Sequence, residues 1–309
     1  MPSLKKIIAF TVALFCAVSL QAKGDLHLYE VSNKDGKITP LVIEEALTKG
    51  GFSVDLNSEM NGPFQKQFQK TTFSIFTLMT MHHPSLSVEL VKQYPQAGAF
   101  TPMGVGIYQA KGEDSLHLSI LTADAQAKIL GTDTKLLKQI ESAVLKVMNT
   151  AFPKAKYTLS EDSLKESRSL ITQFEMDLDG EDWEEMKEEF EMNLEAGFEP
   201  FGFVMPGYLD FNEEMTKEGS VESPYDFYTT YSICKLPVIY TVALSRPEAS
   251  AFAPCTTMVY KKKDEDKIVI GFPAVYNWMS SAQVTDAESH KVLMKAQADF
   301  ESILRDVTE

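Results

Sequence analysis

The stretch from Phe227 to Tyr260 repeats the plan of an earlier stretch, Phe73 to Tyr108, and this repeat constrains the fold more than any other feature of the chain. In each, a short apolar strand runs into a helix opened by a proline (Pro84, Pro237). A second proline follows (Pro95, Pro247), then Phe-x-Pro and a strand ending in tyrosine (Phe100, Pro102, Tyr108; Phe252, Pro254, Tyr260). The offset is 153 residues at the first proline and 152 from the second onward, which places one extra residue in the helix. A repeat of this length is a whole domain. A chain of 309 residues has room for two, each able to bury its own core.

Each half reads strand, helix, two or more strands, short helix, two strands, long helix. In the first, Leu26 to Val31 alternates as a strand, and Thr39-Pro40 opens a helix as N-cap and first-turn proline. Gly50-Gly51 closes that helix. The last helix carries Leu136, Leu137, Ile140, Val144, Val147 and Met148 on one stripe. The second half matches this order. Its first helix sets Trp183, Met186, Phe190 and Leu194 against a strongly acidic face. Pro200, Gly202, Pro206 and Gly207 break the following strand, which predicts an irregular edge. The expected divisions are a leader at 1–22, a first domain at 23–153, a linker at 154–166 and a second domain at 167–309.

The leader rests on Lys5 and Lys6 before an uncharged run, Ile7 to Leu20, with Ala22 at the cleavage position, the pattern of a secretory signal peptide. It predicts a periplasmic or secreted protein with no membrane span. The charge is uneven. From Lys23 to Pro153 there are 12 lysines against 13 acids, and from Lys154 to Glu309 there are 15 basic residues against 31 acids. So acidic a half repels phosphate backbones, which argues against a nucleic-acid partner.

Both halves resemble the domain of unknown function (DUF) 302 family in a handful of motifs. The family carries Gly-Phe after the first helix, a strand ending in Cys-x-x-Pro or similar, a Pro-Cys at the next strand, and a strand of Val-x-Val-Tyr type. Here these are Gly197-Phe198, Cys234 to Pro237, Pro254-Cys255 and Met258-Val259-Tyr260. The first half keeps Gly51-Phe52, Pro84, Pro102 and Tyr108, with Met81 and Met103 aligned to the two cysteines. The resemblance implies an α+β fold of two similar domains, each an antiparallel curved sheet packed on a long C-terminal helix, of the TATA-binding-protein-like or helix-grip type. It also implies either a monomer whose two domains imitate the family's dimer, or a homodimer. It brings no established activity.

Cys234 and Cys255 are the cysteines left once Cys16 departs with the leader, and an even pair in an oxidising compartment suggests a disulfide. Such a bridge would close a loop of about 20 residues and add roughly 3 kcal/mol. Two free thiols, or a metal-binding or reactive pair, are the alternatives. In the first half, Met81, His82, His83 and Met103 gather soft ligands that suit copper, against the plainer reading of methionine as core filler. Gly104-Val105-Gly106 starts a strand and lacks the context of a nucleotide loop. No catalytic constellation stands out. The reading is therefore a non-enzymatic exported protein without cofactor, binding a small apolar ligand or a protein partner between sheet and long helix or between the domains. The alternative is a copper or thiol-redox protein.

Overall fold

The computed structural model describes residues 24–165, 170–217 and 222–309, so the expected leader lies outside the described residues. The first half runs β1 (Leu26–Ser32), α1 (Pro40–Lys49), β2 (Ser53–Glu59), α2 (Asn61–Phe68), β3 (Phe73–His82), α3 (Pro84–Gln93), a 3-10 turn (Pro95–Phe100), β4 (Met103–Ala110), β5 (Ser115–Leu121), α4 (Ala123–Leu130), α5 (Lys135–Ala151) and β6 (Lys156–Leu159). The second runs β7 (Ile171–Asp177), α6 (Trp183–Phe198), β8 (Val204–Asp210), α7 (Phe211–Lys217), β9 (Tyr225–Cys234), α8 (Leu236–Ser245), a 3-10 turn (Pro247–Phe252), β10 (Cys255–Lys262), β11 (Lys267–Pro273), α9 (Tyr276–Ser281) and α10 (Ala287–Thr308).

Both sheets are antiparallel. Their orders, β2-β3-β4-β5-β1-β6 and β8-β9-β10-β11-β7, coincide strand for strand apart from β6. That extra strand lies in the stretch read as linker and pairs Tyr157 with Tyr29 across β1. As its prolines and glycines required, β8 is an edge strand whose register shifts between Val204 and Gly207. The local signals act as their chemistry predicts. Thr39 caps α1 through its hydroxyl, Gly51 turns out of it at φ +91°, and the α5 stripe from Leu136 to Met148 is buried.

The cores of the two halves are continuous, which the sequence reading of two separate cores did not foresee. The buried apolar residues of both halves form one cluster. The cause is an exchange of short segments. The turn Pro247–Phe252 lies on β4 and β5, and Pro95–Phe100 lies on β10 and β11. Gly104 and Gly106 make the first of these approaches possible, since a Cβ on Gly104 would stand 2.5 Å from the Ala251 carbonyl oxygen and one on Gly106 would collide with Ser250. Tyrosines clamp the second, with Tyr228 Oη donating to the Pro95 carbonyl and Tyr225 Oη to that of Val91 at 2.8 Å. Buried aromatic area of this kind contributes roughly 1.5–3 kcal/mol per fully buried ring, so the seam between halves is as much core as interface.

Candidate functional site

Two places where β2 and α2 meet the second half, and β8 and α7 meet the first, are reciprocal, and they differ in chemistry. The strand ladders define the equivalence. Ser53 of β2 pairs with His82 at the end of β3, and Val204 of β8 pairs with Cys234 at the end of β9. Cys234 therefore corresponds to His82, not to Met81 as the aligned prolines suggested. Both helices begin at the same offset, and proline is the first residue of α3 but the second of α8. A one-residue slip along a strand exchanges its two faces, and Cys234, the last residue of β9, lines the seam as well as the small space under the long helix.

At the first place the seam is closed by charge. His82, its side chain 1% exposed, shares a 2.9 Å hydrogen bond between Nδ1 and Asp55 Oδ2. Its Nε2 lies 3.7 Å from Glu214 Oε2 of α7, too far for a hydrogen bond, and has no other partner among the described residues. Glu214 is held from behind by Lys217 Nζ at 2.9 Å, and the Phe211 ring covers the imidazole. Burial pushes the Asp55 carboxyl above its ordinary range, the His82 hydrogen bond works against that rise, and the Glu214 charge adds to it.

At the second place the same positions hold Pro206, Cys234 and the aromatic face of α2, and the seam stays open. A groove of about 400 Å³ runs between the halves, walled by Leu56, Met60, Pro63, Leu78, Val204 and Pro206, with Cys234 and Lys235 at its floor. Phe64 and Phe68 of α2 anchor that wall on Tyr240 of α8, the closer ring stacking at 4.1 Å. Among the described residues Lys235 is the one charged side chain lining the groove. Its ammonium donates to Asp299 Oδ2 of α10 at 2.7 Å and rests 4.9 Å from the centre of the Phe203 ring. Burial works to raise the Asp299 carboxyl, but hydrogen bonds from Lys235 and Lys295 outweigh it and hold the group below its usual range.

The space between sheet and long helix is much smaller. Behind Cys234 and Lys235, between β9–β11 and α10, a cavity of about 40 Å³ is bounded by Cys255, Phe272, Trp278 and Phe300. The cavity that admits a benzene ring in a protein core is about 150 Å³, so this one holds little beyond water. The Trp278 Nε1 that borders it has no partner among the described residues.

The cysteines expected to bond are both free thiols. Cys255 pairs with Ile233 rather than with Cys234, so the two cysteines are diagonal neighbours on adjacent strands and not a directly facing pair. Burial pushes both thiols up to about 12, which leaves little thiolate for metal binding or exchange at neutral pH. The copper set is likewise divided. Met81 and Met103 are direct cross-strand partners, but His82 leaves the other face for Asp55, and His83 caps α3 by accepting from the Leu86 N–H at 3.5 Å. Among the described residues no group of three or more His, Cys, Asp or Glu side chains is arranged to hold a metal ion. Sequence reasoning missed Asp55, Glu214, Lys235 and Asp299. They lie far from their partners along the chain, and only the pairing of β2 with β3 and the packing of α7 and α10 bring them in.

No helix among the described residues is long and apolar enough to cross a membrane. No curated protein matches the chain. Among solved structures, the chain is similar to an uncharacterized conserved protein DUF302 from Bacillus stearothermophilus, at 15% identity and a TM-score of 0.37, with 46% of this chain and 100% of that chain covered. The family model described as Domain of unknown function DUF302 matches residues 184–307, so it is through its second half, from α6 to α10, that the chain is similar to that family.

Proposed function

We propose that this chain is a non-enzymatic binding protein that holds a small apolar molecule in the groove between its halves. One observation carries the reading. The inter-half groove measures about 400 Å³ and its walls are apolar, against about 40 Å³ for the space under α10. The larger value falls within the roughly 300–1,000 Å³ that small-molecule sites span, and the smaller does not. The shared strand order supports reading residues 23–153 as a diverged copy of the unit matched in the second half. The charged N-terminal pair and apolar run support export to the periplasm or medium.

Titration of the purified chain with the uncharged dye Nile red tests the reading. A saturable fluorescence increase that is lost when Leu78→Trp fills the groove is the expected result. The reading falls if the dye shows no saturable signal and native mass spectrometry of protein taken from its own host carries no organic adduct.

A further inference from the structure

Lys235 stands at the floor of the groove, yet it is not a free cation. Its ammonium lies between Asp299 Oδ2 at 2.7 Å and the face of the Phe203 ring at 4.9 Å, with its side chain 14% exposed and that of Asp299 9% exposed. Lys295, at 67% exposure, reaches the same carboxylate from solvent at 2.7 Å. The remaining polar groups of the floor and walls are neutral. Ser58 donates its hydroxyl to the Met60 sulfur, Gln67 is an uncharged amide, and burial raises the Cys234 thiol so that it keeps its proton. A buried charge that has a partner at hydrogen-bonding distance gains little from a second one, whereas a ligand charge brought into such a groove loses its hydration without compensation.

We propose that Asp299 is a specificity-determining residue: by engaging the Lys235 ammonium from behind the groove, it withholds that cation from ligands, restricts the site to uncharged ones and disfavours carboxylates of the same shape. This rests on the ligand-binding reading above and sharpens it to a ligand class. Specificity here comes from withholding a partner rather than from a clash, a form of discrimination that costs the preferred ligand nothing. At the reciprocal seam the residue equivalent to Lys235 is His83, which caps α3 by accepting from the Leu86 N–H, so the masked ammonium is local to this groove.

The test uses the full chain and displacement of Nile red by decanol and decanoate, which share one alkyl body and differ in charge. Wild type is expected to bind decanol about tenfold more tightly than decanoate, and Asp299→Asn to bring the two within about twofold by releasing the Lys235 ammonium to the carboxylate. Lys235→Met is the second arm, useful if Asp299→Asn does not fold. Leaving Asp299 without its buried cation, it is expected to widen the decanol-to-decanoate ratio about threefold or more. Equal binding of the two ligands by wild type, or ratios that neither variant moves, overturns the proposal while leaving the groove a binding site. Displacement by neither ligand, with no saturable dye signal, overturns the binding reading itself.

Discussion

His82 and Cys234 occupy the same place in two halves of one strand order, and their surroundings show how a repeated fold acquires one site rather than two. At His82 the seam is filled by a polar side chain that needs partners, and Asp55 from its own half and Glu214 from the other half converge on it. At Cys234 the side chain is small and nearly apolar, proline stands where Asp55 does, and the two walls remain apart by the width of a groove. A buried imidazole specifies its neighbours through directional hydrogen bonds, whereas a thiol imposes almost none. Closure of one seam keeps the halves in register, and the other is thereby free to stay open.

The largest way to break this contrast is His82→Cys, which gives the closed seam the open seam's residue. It strands Asp55 and Glu214 facing each other without the imidazole, and removing one member of such a buried set costs about 3 kcal/mol. Urea unfolding should show a lower midpoint with an unchanged slope. A smaller effect is expected of the reverse change, Cys234→His. The new ring finds Pro206 in place of a carboxylate, so it is buried without a partner at a cost of roughly 1–2 kcal/mol. It also occupies the floor of the groove, and Nile red titration should lose about tenfold in affinity. An unchanged dye affinity would separate Cys234 from the binding surface.

The smallest effect is a slope. Burial raises the Asp55 pKa, so the folded chain holds this proton more tightly than the unfolded chain does. Between the ordinary carboxylate value and the raised one, the folded state carries the extra proton, and the group's contribution to stability falls as pH rises through that window. Above the raised value it stays low. Asp55→Asn still offers His82 an acceptor but does not titrate, so it should flatten the decline of the urea midpoint from about pH 4 upward. Because burial also raises Asp25, which accepts from Ser281 and the Leu164 N–H, part of the slope should remain in the variant. A variant slope identical to wild type would mean that Asp55 is ionised in the fold without cost.

Much of the fold was legible before any coordinates. The order of elements followed from proline, glycine and the apolar stripes, and the irregular edge at β8 followed from Pro206 and Gly207 within it and Pro200 and Gly202 just before it. What escaped were elements with weak periodic signals, such as α2 and α7, and β6, a polar stretch whose pairing with β1 stabilises it only in context. The site was less legible still. The aligned prolines invited a comparison of Cys234 with Met81, and the one-residue difference hid the register that lets Cys234 line the seam as well as the space under α10. The candidate copper set failed because Met81 and His82 are neighbours in sequence and so point to opposite sides of β3.

By itself the sequence determined what repeats along the chain: the two sets of strands, the capped helices, and the small residues Gly104 and Gly106 that let one half lie on the other. The tertiary structure decided what faces what. A local pattern reports the conformation of a few residues, because propensity and capping act within a turn or two. Whether a side chain meets a carboxylate, a ring or an open groove depends on strand register and on segments exchanged between halves. Those are set by burying the whole core at once, and no short stretch of the chain contains that information.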